Sequence, residues 1–416
     1  MTMNDFIRFM LDIKDPNIEF TNYFSDTVNG KVSKIYEAKL HLGLDTCLEC
    51  GSNEIIKFGY YTSQITFLTT DASHPVYIRL HKQRLRCKHC LKTIMAQSED
   101  LVNKHCNIAN IVKDKGLVSL EEDRSQKSIS RDLNVSPSTI SRVIDDSDLS
   151  FDKYEELPPN LAFDEFHGVG TDYHFIVINN DTSDIITILN DRKKQTISEY
   201  FEGIDLKKRQ AVKTISIDLN SYYQDIARHL FPNALIVVDR FHICSMFTRA
   251  FNQIRASLLR SFCKVTREYR LLKYSWKLYL IPQNRLDSTN EYFDRHLRSV
   301  VTQSDRVSTG LDVNPILANS YDVMQDVLTA LSTKDVDLLM DTIYSKKEVG
   351  GPMKIAIKSI KENILYVKNA IESPYSNGRI EGVNRMIKQI KRTAFGFRSF
   401  THFKARIILH QKLNHK

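Results

Sequence analysis

The spacing of apolar residues changes character several times along the chain, and each change marks an expected element. The first 40 residues begin with helical spacing and continue as loop. From Cys47 to Cys90 the period shortens to two, and strands are predicted at Ile55–Tyr61, Gln64–Thr69 and Val76–Arg86. In the last of these Val76, Ile78 and Leu80 alternate with Tyr77, Arg79 and His81. Helical spacing takes over from about 105 to 146, and a polar, proline-containing link from Asp145 to Pro159 closes this N-terminal part. Three strands follow in a row, at Leu161–Phe166, His174–Asn179 and Ile185–Leu189. Next come a helix near Ile197–Gly203, a strand at Val212–Ile217, a helix at Ser221–Leu230 and a strand at Leu235–Val238. Residues 244–370 read as almost entirely helical, and a basic helical stretch runs from Gly378 to the last residue. There is no internal repeat and no low-complexity tract.

Length and charge narrow the classes. A chain of 416 residues is too long for one typical core, so two or three domains are expected. Fifty-eight Lys and Arg against 50 Asp and Glu give a formal charge of +8, a bias that permits a polyanionic partner without demanding one. No apolar run is long enough to span a membrane, and the first 20 residues carry acids where a secretion signal needs a basic start and an apolar stretch. A soluble, cytoplasmic protein with no membrane partner is therefore expected.

In a reducing compartment, the cysteine pairs Cys47-x2-Cys50 and Cys87-x2-Cys90 point to metal rather than disulfide chemistry. Each CxxC knuckle presents two sulfurs to one ion, so the four thiolates suit one tetrahedral structural zinc in a zinc ribbon. Buried cysteines without metal are the plainer alternative. Around the second knuckle Arg84, Arg86 and Lys88 belong to a cationic run with Arg79, Lys82 and Lys92, which suits a DNA phosphate backbone or simply a solvated strand. Residues 125–144 carry a helix-turn-helix pattern. Ile129 and Leu133 form an apolar face, Asn134 and Val135 the turn, and Ser136-Pro137 starts a second helix with a capping hydroxyl. That helix is expected to present Ser138, Thr139, Ser141 and Arg142 on its polar side, as a recognition helix does, although any short helical hairpin gives the same pattern.

Carboxylates supply the remaining chemistry. Asp164 and Glu165 occupy successive strand positions, so they face opposite ways and only one can join a site with a neighbouring strand. Asp218 ends a strand rich in Val and Ile, where it serves either a site or a helix cap. Asp239 and His242 end the next strand and are candidates to assist the site or to pack structurally. In the last basic segment Ile380, Val383, Ile387 and Ile390 form an apolar stripe, with Glu381 among the cations Arg379, Arg385, Lys388 and Arg392. An ordinary Glu381–Arg385 ion pair explains the same helix. Three strands followed by alternating helix and strand is the order of an RNase H-like mixed sheet. Three carboxylates suit two divalent cations, magnesium or manganese, roughly 4 Å apart at a phosphodiester.

The blocks AFDEF, SIDLNSYYQDIARHLFPNALIVVDRFHI and SNGRIEGVNRMIKQIKRTAFGFRSF, with CLECGS and RCKHC upstream, resemble bacterial insertion-sequence transposases of the ISL-three family along nearly the whole chain. The resemblance implies a DDE enzyme with catalytic and metal-binding acids Asp164, Asp218 and Glu381, Asp239 rivalling Asp218 as the second acid. The expected protein is a multidomain α+β chain. It has an N-terminal segment with the zinc ribbon (1–104), a helix-turn-helix domain (105–150), and an RNase H-like core in two parts (151–243 and 371–416) interrupted by an all-helical insertion (244–370). It would bind double-stranded DNA at terminal inverted repeats and at a target, act as at least a dimer, associate with the nucleoid, and cut and join DNA. A DNA-binding regulator derived from such an enzyme, or an RNase H-like nuclease or resolvase, are the alternatives.

Overall fold

The computed structural model of the chain describes residues 2–69, 74–122, 124–147, 149, 156–219 and 221–414; the middle of the expected polar link, at 148 and 150–155, and Asn220 lie outside them. The chain forms two compact units, one of residues 1–151, 168–171 and 386–416, the other of 152–167 and 172–385. Together they hold sixteen α-helices and twelve strands among the described residues, a mixed α+β architecture.

The first unit opens with α1 (Met3–Met10), capped by Thr2, whose hydroxyl accepts the Asp5 N–H. Strands β1 (Ile18–Val28) and β2 (Lys31–Leu40) follow as an antiparallel hairpin, where the sequence predicts loop. The reason lies in their exposure. After Ile18 and Phe20 no residue of β1 is buried, so polar residues fill both faces and the two-residue period is lost. The legible signal was the turn, since Asn29 and Gly30 both take positive φ, as a two-residue hairpin of the Asn-Gly type requires. Strands β3 (Ile55–Phe67), β4 (Val76–Cys87) and β5 (Thr93–Met95) complete a sheet ordered β1-β2-β4-β3, with β5 also on β4. β3 joins two predicted strands into one. Helices α2 (Asn110–Glu121), α3 (Gln126–Asp132) and α4 (Pro137–Asp145) follow; Ser125 and Ser136 cap the latter two, and Asn134 makes the turn at φ 52°.

The second unit is built on a five-stranded sheet of β6 (Asn160–His167), β7 (Tyr173–Asn179), β8 (Ile185–Leu189), β9 (Thr214–Ile217) and β10 (Leu235–Val238). Its order is β10-β9-β6-β7-β8; β6, β7 and β8 pair antiparallel, while β9 runs parallel to both β6 and β10. Helices α5 (Lys194–Glu202), α6 (Leu206–Gln210) and α7 (Ser221–Leu230) fill the connections between β8 and β10. A long helical segment comes next: α8 (Arg240–Arg260), α9 (Arg267–Lys273), and then α10 (Gln303–Leu311), α11 (Pro315–Thr333), α12 (Val336–Tyr344), α13 (Gly351–Glu362) and α14 (Ile364–Glu372). Contrary to the all-helical expectation, a hairpin of β11 (Tyr292–Asp294) and β12 (Ser299–Val301) interrupts it. The strands are only three residues long and mostly exposed, too short to show a period. One continuous core joins sheet and helices, from Phe163, Phe175 and Val237 to Phe251, Met324 and Ile371.

The final basic stretch is two helices, α15 (Gly378–Thr393) and α16 (Phe400–Asn414), broken where Phe395 and Gly396 take positive φ. The sequence groups 371–416 with the sheet domain; in the structure the residues from Met386 onward cluster with the first unit. Ala405 and Leu409 of α16 share a core with Ile129, Ile140 and Ile144 of α3 and α4. Arg406, one of the cations of the basic stretch, is buried and donates to the backbone carbonyls of Glu122 and Arg124 just past α2, while His402 meets Asp145 at 2.7 Å.

Candidate active site

Sheet topology gathers the acids. β9 and β10 are parallel and in register, Ile217 opposite Val238, so Asp218 and Asp239 leave the same sheet edge side by side. β6 lies next to β9, with Ala162 opposite Ser216, which brings Asp164 to the same level two residues on. Burial raises the Asp164 carboxyl to about 7, helped by the charge of Asp218. Asp218 is raised as well, first by burial. His242, one turn into α8, sets its Nδ1 2.9 Å from Asp239 Oδ2 and 3.2 Å from Asp218 Oδ1, and the bond to Asp239 raises its pKa. Asp218, Asp239 and His242 thus form one tight cluster, with the ligand atoms within 4.8 Å of one another.

Alternation along β6 turns Glu165 to other partners, as the strand period requires. Its carboxylate accepts from Tyr223 at 2.7 Å and from Arg192 at 2.5 Å. Burial and this carboxylate push the Tyr223 phenol upward.

The start of α15 reaches both strand acids. Asn377 Nδ2 donates to Asp218 Oδ1 at 3.2 Å, and Asn384 Nδ2 donates to Asp164 Oδ2 at 2.7 Å. Residues four and three apart share a helix face, so Glu381 shares a face with 377 and 384; the cluster of Asp218, Asp239 and His242 includes neither Glu381 nor Asp164. The expected Glu381–Arg385 ion pair is not formed among the described residues; Arg385 Nε points to the Glu381 carbonyl at 3.4 Å. Ile380, Val383, Ile387 and Ile390 are buried, and Arg379, Arg385, Lys388 and Arg392 are exposed. Asn377 and Asn384 escape a sequence reading that looks for acids. The signal was their spacing, since Asn-x3-Glu-x2-Asn puts three polar residues on one helical face.

The four cysteines come together. Cys47 and Cys90 sulfurs are 3.6 Å apart, Cys50 and Cys87 sulfurs 3.7 Å, and all four lie within 4.8 Å. Tetrahedral zinc with thiolate bonds of about 2.3 Å sets its sulfurs about 3.8 Å apart, so this set is compatible with zinc. The backbone N–H of Cys90 lowers the Cys87 thiol to about 6, toward the thiolate a metal needs. Beside this cluster a bulge at Gly59 shifts the β3 register, and the guanidiniums of Arg84 and Arg86 both lie over the Phe58 ring, 5.3 and 5.1 Å from its centre. Lys88 is exposed. On α4, Ser138 and Arg142 are exposed and Ser141 is half-buried. Thr139 departs from the expected polar side. It is buried with its hydroxyl 2.9 Å from that of the capping Ser136, because the first turn of the helix folds it back onto its own cap.

A family model described as transposase, of the DDE and ISL-three type, matches residues 161–407. An ATP-dependent protease of Lactococcus lactis is 31% identical over 28% of this chain and 38% of its own length. The transposase for insertion sequence element IS1001 of Bordetella parapertussis is 25% identical over 58% of each chain. That for IS1557 of Mycobacterium tuberculosis is 21% identical over 62% of this chain and 61% of its own. The chain therefore spans less than two thirds of the length of these relatives. A solved Drosophila P element transposase strand transfer complex is 12% identical with a TM-score of 0.34, covering 75% of this chain and 94% of that one.

Proposed function

The chain belongs to the ISL-three family of DDE transposases, and from that premise we propose that it cuts and joins DNA at the ends of its own insertion sequence, with Asp164, Asp218 and Glu381 as its metal-binding acids. The observation that supports this reading is the pair of amide contacts to the two strand acids from Asn377 and Asn384, four residues before and three after Glu381. The sheet order, three antiparallel strands followed by two parallel ones beside the first, is that of RNase H-like enzymes and supports the same assignment. Asp218 follows the fourth strand, and it is the carboxylate whose charge Asp164 feels most, which favours it over Asp239 as the second acid.

The donor set fits hard divalent cations. The acids offer carboxylate oxygens, with the His242 imidazole beside them, and burial with mutual repulsion holds Asp164 far above the usual carboxylate range, a crowding that positive charge relieves. Bound magnesium or manganese would activate a water or 3′-hydroxyl and stabilise the leaving oxygen. The protein's own groups do the rest. His242 shares its Nδ1 between Asp239 and Asp218 and so fixes the Asp218 carboxylate. Arg379, Arg385, Lys388 and Arg392 offer positive charge to phosphates. In the first unit the cysteine cluster holds a structural zinc that fixes the end of β4, Phe58 flattens the Arg84 and Arg86 guanidiniums for backbone contact, and α4 reads sequence through Ser138, Ser141 and Arg142. Acting on two ends calls for at least two copies.

The test is cleavage by the full chain of a linear duplex carrying the DNA that flanks its reading frame, with manganese present and cut ends mapped. Glu381→Gln and Asp218→Asn should each reduce cutting by about a thousandfold, about 4 kcal/mol of activation energy. Undiminished cutting by either variant would overturn the assignment.

A further inference from the structure

We infer that Asn377 and Asn384 are positioning residues, a two-pronged amide clamp that ties the acids of two different strands to one helix and thereby sets Glu381 opposite them for metal. The inference rests on the reading of Glu381 as the third acid. Asn377 is 1% exposed and Asn384 7%, so both amides are committed to the interior. Each spends its Nδ2 on one strand acid, and each leaves its Oδ1 buried with no partner among the described residues. A buried carbonyl without a hydrogen bond is costly, and apolar residues in place of each amide and of the acid it serves would avoid that cost. Stability alone therefore does not account for two such residues seven apart on one face. Their donation does, because each carboxylate has a second constraint that leaves its orientation defined. Asp164 Oδ1 accepts the Glu165 N–H at 2.8 Å, and Asp218 Oδ1 also faces His242 Nδ1.

The helix entry is itself held by amides that reach the sheet. Asn180 Nδ2 donates to Ser216 Oγ at 3.0 Å and to the Ser376 carbonyl at 3.3 Å, and Asn160 Nδ2 donates to Tyr375 Oη at 2.7 Å. The segment that delivers Asn377 is thus fixed to β6, β7 and β9 before the clamp closes. Outer residues that orient metal-binding carboxylates typically change metal affinity about 10- to 100-fold when removed.

The experiment is calorimetric titration of manganese chloride into the full chain without DNA, on wild type, Asn377→Leu, Asn384→Leu and Glu381→Gln, with the metal-free melting temperature recorded for each. The clamp predicts manganese binding weakened about 10- to 100-fold in both leucine variants, in protein that still melts cooperatively near the wild-type temperature because the lost orphan carbonyl offsets the lost donor. A residue that merely supports the fold would lower the melting temperature instead. If a leucine variant melts early, Asn377→Ser and Asn384→Ser, which keep a donor, are read in its place and should bind with affinity between wild type and the Glu381→Gln protein. Wild-type affinity in the asparagine variants beside weakened binding in Glu381→Gln would overturn the clamp alone. Wild-type affinity in Glu381→Gln would instead overturn the role of Glu381 on which the clamp rests.

Discussion

Asp164 sits in a partly buried site beside a second carboxylate, and its position has a cost that can be measured. Its carboxyl, with an ordinary value of 3.8, is raised to about 7, chiefly by burial. Between these values the folded protein keeps a proton that the unfolded chain has already released, so metal-free stability falls as pH rises through that window. Below about pH 4 both states are protonated and the penalty vanishes. Asp164→Asn, whose single amide oxygen can accept from either the Glu165 N–H or Asn384 but not both, should therefore gain stability relative to wild type as pH rises from 4 to 8. Allowing for solvent access, the gain is about 1–2 kcal/mol. Thermal melting of the metal-free proteins across pH 4–8 checks this, and an equal gain at every pH would contradict the assigned cause. The same residue is where metal would restore charge balance, so the stability given up is the expected counterpart of a preformed site.

Among the elements, α4 and the cysteine knuckles depend on a few local bonds. Ser136 accepts the Thr139 N–H at 3.1 Å and also engages the Thr139 hydroxyl, so one side chain both caps the helix and satisfies a buried group. Ser136→Ala should cost about 1–2 kcal/mol by chemical denaturation, the upper end because the Thr139 hydroxyl is left with only its 3.5 Å contact from Arg142. Ser138→Ala, on the exposed side, should leave stability unchanged. The knuckles hold β4 at its end, where Cys87 closes the strand. Elemental analysis should find one zinc per chain, and Cys90→Ser should lose it. Chelation should release it and open amide exchange at the start of β3 and in β5, the segments that pair with β4 beside Cys87. Retention of metal by Cys90→Ser would show that the cluster is not its ligand set.

At the scale of the whole molecule, both ends of the chain build one unit. The buried residues of α16 complete the core of the helix-turn-helix, Arg406 satisfies carbonyls left open at the end of α2, and His402 pairs with Asp145 at the end of α4. Deleting residues 400–416 should therefore unfold the helix-turn-helix rather than trim a tail. Limited proteolysis of the truncated chain should cut within 105–147 at sites protected in the intact protein, and DNA binding through α4 should be lost. Protection equal to that of the full chain would show that α16 is dispensable. No helix among the described residues is long and apolar enough to cross a membrane.

Periodicity and punctuation determined much of this protein from the sequence. β8, α7 and β10 have the predicted bounds, because a short apolar run between turn residues, or a clean helical stripe, has one way to bury its face. The two CxxC pairs, the capped helix-turn-helix and the order of strands were legible for the same local reasons. What sequence could not supply was whatever depends on residues far apart. Most of β1 is exposed on both faces and the buried residues of β2 are interrupted, Ser33 and Ile35 then Ala38 and Leu40, so the pairing leaves no steady period to read. Thr139 follows the helix pattern outward until its own cap draws it in. The destination of α16 is decided by a core whose other half lies more than 250 residues earlier. Glu381, taken alone, is an acid among cations on a basic helix. Only the fold brings Asn377 to Asp218 and Asn384 to Asp164, because such contacts are a matter of distance and shared burial, which no linear spacing encodes.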